Sequence, residues 1–499
     1  MSFKKVFFTS HHYWKDLLII FFIAASFFPF RHVINFQNAS RFGWYIEPLA
    51  ISIYAADFIF ISIILFFGKN LLEAFKRNWL LLSAIIVFFL AQSARNSDPA
   101  LGGYMFLRFF QFAVLLLLFS ITLRSKKNIK LLCIFLLIIG SLQSTLVLYQ
   151  VTNSHSLGLK WFGEQTIDIG KAGVAKVDLA HGKLIRGYGT LPHPNILAGL
   201  LTITIAANLW LIRTKTTKPT TTGWFESQSL RAKRSNLQTF SWLGIALLSN
   251  PEPAEGSTRD YRALRKDDVF SYIQTNIGLW ILYCLVLLQI IGMTLTFSRA
   301  GFVSLTILFI LFFYSQAKKG IINLKKWGTF ILFMLILLWL INSFTRGAIY
   351  QRLIPPKTDI SLTERIFLFR ESGEVLKQNF LLGLGNGQYI INYIISVPPG
   401  TGIEKWQYDF PHNVVVQSCS ELGFLGFLIF ALLVFTLIKY NTKNWRYFWF
   451  SIAIIFPYLM FDHFLLTNQS GRILLVLSLT LLPKILESGS VEFGNKKGY

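Results

Sequence analysis

Acidic residues are scarce in this chain, as are cysteine and proline: 24 Asp and Glu stand against 48 Lys and Arg among 499 residues, with 3 Cys and 15 Pro. Cys133, Cys284 and Cys419 are scattered in or near apolar segments without metal-ligand spacing. That excludes a disulfide scaffold and a cysteine-held zinc, and it reads as packing. The 8 histidines include no i, i+4 pair, and no outer cluster of carboxylates accompanies them, so no metal ligand set is expected. Phosphate-loop and dinucleotide fingerprints are missing too, which argues against any nucleotide or other cofactor. Charged residues of both signs make up only 14%. A soluble chain of this length carries more.

What the chain has in abundance is apolar and aromatic, 53% and 16% of residues, with a mean hydropathy of +0.51. Runs of roughly 17 to 25 apolar residues, allowing a few short ones, predict about twelve membrane spans. They fall at 17–30, 46–67, 79–93, 104–123, 129–151, 191–212, 276–297, 301–315, 328–344, 422–440, 445–465 and 471–486. The fold class is therefore all-α, a polytopic transmembrane helical bundle. Its parts are spans one to six (1–212) with an outer loop at 152–190, a basic insertion at 213–275, and spans seven to nine (276–344). A large outer loop at 345–411, spans ten to twelve (412–486) and a tail at 487–499 complete it.

The formal charge of +24 invites a nucleic-acid reading, which the distribution of the basic residues weakens. With the N-terminus inside, well over half of the Lys and Arg fall on inner connections and tails, as the positive-inside rule requires. Lys69, Lys76 and Arg77 form one such cluster, and Arg124, Lys126, Lys127 and Lys130 another. Lys4 and Lys5 precede the first apolar run, but no small-residue cleavage site follows Phe30, so the first span is read as uncleaved. The insertion, with Ser229-Leu230-Arg231-Ala232-Lys233-Arg234 at its heart, has too little apolar periodicity to offset its ordering entropy and is assigned no catalytic role.

Arg299 is the only charged residue between 275 and 317. At the centre of one helix it would cost about 2.5 to 3.5 kcal/mol, so it marks a turn between two spans at a membrane surface. Two other outer connections matter. The 152–190 loop ends in Arg186-Gly187-Tyr188-Gly189-Thr190-Leu191-Pro192-His193-Pro194-Asn195. The 345–411 loop holds Ser361-Leu362-Thr363-Glu364, a capping-box pattern opening a helix to about Gln378. Leu362, Ile366, Phe369 and Leu376 give that helix an apolar face expected to rest on the membrane domain, with Arg365 and Arg370 on other faces.

Thr296-Phe297-Ser298-Arg299-Ala300-Gly301, Thr363-Glu364-Arg365 before Gly383-Leu384-Gly385-Asn386-Gly387, and Pro411-His412-Asn413 before Glu421-Leu422-Gly423 resemble the O-antigen ligase and polymerase superfamily. Gly189 to Asn195 upstream, and Asp462-His463 with Gln469, Gly471 and Arg472 downstream, extend the resemblance. It covers the chain from about Arg186 onward, while the first five spans match only in hydropathy. The resemblance implies a C-type glycosyltransferase fold on the outer, periplasmic face of the bacterial cytoplasmic membrane. It implies transfer of a glycan from undecaprenyl diphosphate to an acceptor hydroxyl, generally without metal. The acceptor is lipid A-core for a ligase, another lipid-linked glycan for a polymerase, or a protein in a related branch.

The residues support that chemistry separately. Cleaving an anomeric carbon from a lipid diphosphate releases an anion, which guanidinium groups bind in a bidentate fork. Arg299 and Arg365 are the candidates. The attacking hydroxyl must lose a proton, and His412 at an outer helix start is placed as general base. Arg186, His193, Asn195, Arg370, Asn413, Asp462 and His463 are candidate substrate-binding residues. Each has a structural alternative: Arg299 as a head-group anchor, Arg365 as the partner of Glu364 with Arg370 in its stead, His412 as a helix cap. His193 can order its turn between two prolines, Asp462 and His463 can be a structural pair, and the run from Gly383 to Gly387 can be a phosphate cradle or an ordinary turn. From another class, a lipid-linked glycan flippase remains the rival. It would show related halves and charges lining the spans, whereas here no internal symmetry is seen and the prominent charges collect on outer connections, apart from Asp57 and Arg108 in spans two and four. Among the enzymes, ligase is favoured over polymerase by the long second outer loop.

Overall fold

The structure, a computed structural model, describes residues 3–35, 39–40, 42–43, 45–179, 182–216, 266–317, 324–354, 360–396, 409–439 and 445–487. Most of the basic insertion, its apolar patch at 242–248 and the tail beyond 487 lie outside the described residues, as do the side chains of Ser361 and Leu362. Each of the twelve apolar runs is occupied by a helix. In order these are α1 (Phe3–Phe27), α2 (Ala55–Arg77), α3 (Trp79–Ala94), α4 (Pro99–Thr122), α5 (Lys126–Asn153), α6 (Pro194–Thr216), α7 (Lys266–Thr294), α8 (Arg299–Ala317) and α9 (Leu324–Phe344). Three short or amphipathic helices follow, α10 (Ala348–Leu353), α11 (Ile360–Gln378) and α12 (Tyr389–Ser396). The chain then returns to long apolar helices with α13 (Val414–Lys439) and α14 (Trp445–Phe461), a single turn α15 (Phe464–Thr467), and α16 (Gln469–Glu487). Among the described residues 8 helices are long and apolar enough to cross a membrane, and α3, the 328–344 part of α9 and α14 are shorter apolar helices. The protein is an all-α, multi-pass membrane protein.

Met1–Trp210 and Leu285–Tyr499 form one compact unit and Leu211–Cys284 a second. In the second, the described residues are the ends of α6 and α7, with Trp280 and Tyr283 edge to face at 6.3 Å. In the first, α6 and α16 are the inner helices: 94% and 89% of their apolar windows are buried, against 17% for α2. They meet where Gly199 faces Leu474 and Phe464. Thr202 on α6 shares a 2.9 Å hydrogen bond with the Tyr458 hydroxyl on α14. Short polar side chains at such contacts satisfy themselves while letting helix backbones approach. At the start of α4, Asp98 accepts from the Leu101 N–H at 3.1 Å with Pro99 in the first turn, which fixes where that span begins.

A break in α13 sets the geometry of the outer loop. Gly423 has φ +70°, so the helix runs as two pieces on either side of it. The 380–385 segment plugs the gap: Phe424 and Leu425 donate their N–H groups to Phe380 and Leu381 carbonyls, and Leu384 and Gly385 donate to Ser420 and Glu421. A side chain on Gly423 would strike the Leu381 carbonyl, and one on Gly383 would strike the Gly423 nitrogen. On the other side, Arg95 donates to the carbonyls of Leu382 and Gly383 at 3.0 Å, and Asn96 donates to that of Asn386 at 2.8 Å.

Four expectations need correction. The loops carry two antiparallel ribbons, Arg31–Val33 with Ser52–Tyr54 and Lys176–Leu179 with Gly182–Ile185, which no run of alternating residues announced. Helix α11 begins at Ile360, so Ser361 lies inside it rather than capping it. Its packed side is also different: Leu368 is fully buried and the Ser372 hydroxyl meets Tyr389 at 2.8 Å, while Ile366 and Phe369 are 62% and 55% exposed. The inward stripe is the i, i+4 pair 368 and 372, a quarter turn away from the face with most apolar residues. Of the cysteines, Cys133 is buried but Cys284 is exposed, so packing explains only the first.

Candidate active site

The segment from Arg186 to Asn195 is held by two glutamines two turns apart on α5. Gln150 accepts from the N–H groups of Tyr188 and Gly189 at 3.0 and 2.9 Å and donates to the Gly189 carbonyl at 2.8 Å. Gln143 accepts from the Thr190 N–H at 2.9 Å and donates to its hydroxyl at 2.7 Å. Thus fixed, Arg186 donates from Nε to the Thr296 carbonyl at 2.8 Å and from Nη2 to Asn195 Oδ1 at 2.7 Å. The amide of Asn195 in turn donates to Asp462 Oδ2. His193 orders the turn: its Nδ1 accepts from the Asn195 N–H at 3.2 Å, which leaves its proton on Nε2. Burial, reinforced by the charge of Arg186, lowers its pKa to about 3, so this imidazole stays neutral.

Two imidazoles face each other across the ends of α13 and α14. His412 and His463 have ring centroids 5.1 Å apart. Asn413 caps α13, accepting from the N–H groups of Val415 and Val416 at 2.9 and 3.0 Å, and its amide donates to the Met460 carbonyl at 3.3 Å. Expected among the substrate-binding residues, Asn413 is instead committed to the helix end, which frees His412 from capping. Phe410, stacked on Tyr389 at 6.1 Å and 5.6 Å from the His463 ring, anchors the strand leading to His412.

Three carboxylates attend these rings. Asp462 Oδ1 lies 3.9 Å from His412 Nδ1 and accepts from the His463 N–H at 2.8 Å. The first distance is an ion-pair spacing rather than a hydrogen bond, and His412 Nδ1 is a buried atom with no hydrogen-bond partner among the described residues. Asp409 lies 3.4 Å from His463 Nε2 and 4.0 Å from His412 Nε2. Burial works against both aspartates, but their histidine partners outweigh it and hold both carboxyls below their usual range. At His463 burial opposes the charged ring, and Asp409 overrides it to raise its pKa. At Glu364, near His412 and Asp409, burial prevails and the pKa rises.

The guanidinium groups approach from the other loops. Arg365 on α11 is close enough to His463 and to Arg186 to repel both, and its buried Nε has no hydrogen-bond partner among the described residues. Burial, then the charges of Arg352 and Arg365, lowers Arg186 to about 9, so it keeps its proton at neutral pH. Arg299 is the first residue of α8, after a turn in which Phe297 has φ +49°. The turn between two spans is therefore where the sequence put it. Arg299 donates from Nε to the Arg352 carbonyl at 2.8 Å, and Arg352 donates back to the Phe297 carbonyl at 3.3 Å. Arg299 thus joins the cluster through Arg352 rather than by contact with the imidazoles. Arg370 is exposed, its charge felt at Glu374, and does not join it.

A cavity of about 580 Å³ is lined by Asp409, His412, Asp462 and His463 together with Arg31, Tyr54, Tyr104, Arg108 and Arg472. Of the charges flagged within spans, Arg108 pairs with Asp57 and donates to the Ser52 carbonyl at 2.6 Å, which ties the two to the surrounding structure. The run from Gly383 to Gly387 is a turn and not a phosphate cradle, since the N–H groups of Gly383, Leu384, Gly385 and Asn386 all have backbone acceptors. Arg352, Asp409, Gln143 and Gln150 escaped the sequence reading. An acid three residues before His412 was a usable signal for Asp409; Arg352 and the glutamines had none short of tertiary structure.

A search of curated proteins gives no match to this chain. Residues 284–431, which carry Arg299, Arg352, Arg365, Asp409, His412 and the break in α13 at Gly423, match the family model described as O-antigen ligase. That stretch supports a likeness to the O-antigen ligase and polymerase superfamily of membrane glycosyltransferases.

Proposed function

We propose that this protein transfers a glycan from undecaprenyl diphosphate to an acceptor hydroxyl, in the manner of a ligase delivering to lipid A-core, on the periplasmic face of the cytoplasmic membrane. The observation that carries the reading is the meeting of Arg186, Arg352 and Arg365 with the pair His412 and His463, supplied by four separate segments of chain. Cations so gathered repel one another, and a diphosphate relieves the repulsion. The unpartnered Nε of Arg365 supports the same reading, because a buried guanidinium donor without an acceptor is costly until an anion arrives.

In the reaction the acceptor oxygen attacks the anomeric carbon and gives its proton to His412 Nε2. The bond from that carbon to the phosphate oxygen breaks, and its electron pair stays on the lipid diphosphate beside Arg365 and Arg186, with Arg299 flanking through Arg352. Asp462 faces His412 Nδ1 and stabilises the imidazolium as it forms, once a small ring rotation shortens 3.9 Å to a hydrogen bond. Asn195, tied to both Arg186 and Asp462, couples the anion side to the base side. Polymerase chemistry uses the same steps with a second lipid-linked glycan as acceptor. Expression in a strain lacking its own ligase separates the two: capped core supports the ligase, and lengthened carrier-bound chains with bare core contradict it.

A further inference from the structure

The geometry points to a transition-metal site made by Asp409, His412 and His463, at which Zn²⁺ switches the enzyme off. One ligand atom from each of the three lies within 4.8 Å of the others. Around a tetrahedral zinc with bonds of about 2.0 to 2.1 Å, ligand atoms sit roughly 3.3 to 3.4 Å apart. Asp409 Oδ1 and His463 Nε2 already stand at 3.4 Å, and His412 Nε2, 4.0 Å from the other carboxylate oxygen, Oδ2, has to swing inward to complete the set.

The outer groups are those a bound metal requires. A metal-bound imidazole donates its other N–H to an oxygen, which fixes its tautomer. His463 Nδ1 is 2.9 Å from the Thr467 hydroxyl, an oxygen that can hold the Nδ1 proton when Nε2 gives up its own to a metal. Thr467 is itself held in place, since Arg472 donates to the carbonyls of Leu466 and Thr467. His412 Nδ1, a buried atom with no hydrogen-bond partner among the described residues, faces Asp462 Oδ1, an acceptor ready for its proton when Nε2 is metallated. All three candidate ligands line the cavity, so an ion and a fourth, exchangeable ligand have room to enter. Two imidazoles and one carboxylate select Zn²⁺ over Mg²⁺ and Ca²⁺, which take oxygen ligands.

The functional consequence rests on the base role given to His412: a nitrogen bonded to zinc cannot accept the acceptor's proton. Calorimetric titration of the purified full-length protein with Zn²⁺, without substrate, tests the site independently of that role. Wild type binds one Zn²⁺ and no Mg²⁺, while Asp409→Asn and His463→Gln, with unchanged melting temperatures, bind at least about tenfold more weakly. Undiminished Zn²⁺ binding in the Asp409→Asn, His463→Gln double variant overturns the site. In a transfer assay the chelated wild type is active, Zn²⁺ suppresses it, and Asp409→Asn raises the suppressing concentration at least about tenfold. Loss of transfer on chelation, restored by Zn²⁺, overturns the switch in favour of a required metal.

Discussion

At the scale of the residue, the account turns on what each side chain is free to do. Asn413 spends both ends of its amide on the end of α13 and on Met460, whereas His412 beside it keeps its buried Nδ1 without a hydrogen-bond partner among the described residues. His412→Ala is therefore expected to lower transfer by about 10² to 10⁴ with membrane insertion and protein level unchanged, as read by glycan transfer and immunoblot. Arg365→Ala should cost about 10² to 10³, the scale of one lost oxyanion donor. Arg365→Lys should fall nearly as far, because an ammonium lacks the planar fork; full activity in the lysine variant would remove Arg365 from the anion site. His193 differs in kind. With its pKa at about 3 in the fold against an ordinary 6.5, the folded chain binds fewer protons than the unfolded one in between, so stability falls as pH drops through that window. His193→Asn keeps an acceptor for the Asn195 N–H without the titration. Its melting temperature should decline less steeply between about pH 6.5 and about pH 4 than that of wild type, and an identical slope would contradict the assignment.

Among elements, the broken helix α13 is what holds the 380–385 turn in place. Its two halves accept and donate across Gly423 to the 380–385 turn, which Arg95 and Asn96 clamp to the end of α3. Gly423→Ala forces a side chain onto the Leu381 carbonyl at φ +70°, a change expected to cost about 1 to 3 kcal/mol in thermal or denaturant unfolding. Transfer should drop with it, since the 380–385 turn that bonds across the break leads from α11, which carries Arg365, toward His412. The elements also show what a sequence can disclose. Membrane helices announced themselves because each must be apolar along its whole length, and Arg299 marked a turn because a lone charge is expensive mid-span. The facing of α11 was misread, because apolar residues outside a soluble core obey no single inward stripe. The ribbons at Arg31–Val33 and Lys176–Leu179, three or four residues long, are too short to impose a period.

For the whole molecule, the site is a meeting of segments far apart in the chain, and that is why only part of it was legible. His412, His463, Arg186 and Arg365 were found because each sits in an outer connection with chemistry-bearing neighbours. Asp409, Arg352 and the glutamines of α5 acquire meaning only from what folds against them: Gln150 is just another polar residue of a span until Tyr188 and Gly189 arrive at its carbonyl. The same assembly argues against a transporter. Asp57 and Arg108 pair with one another inside the spans, while the clustered cations and imidazoles gather at helix ends. The most direct measurement is made in proteoliposomes holding the purified protein, undecaprenyl diphosphate-linked glycan and acceptor, with no ion gradient. The account predicts glycosylated acceptor and free undecaprenyl diphosphate in equal amounts, abolished by His412→Ala; glycan that crosses the bilayer still attached to its carrier, with no acceptor modified, would contradict it.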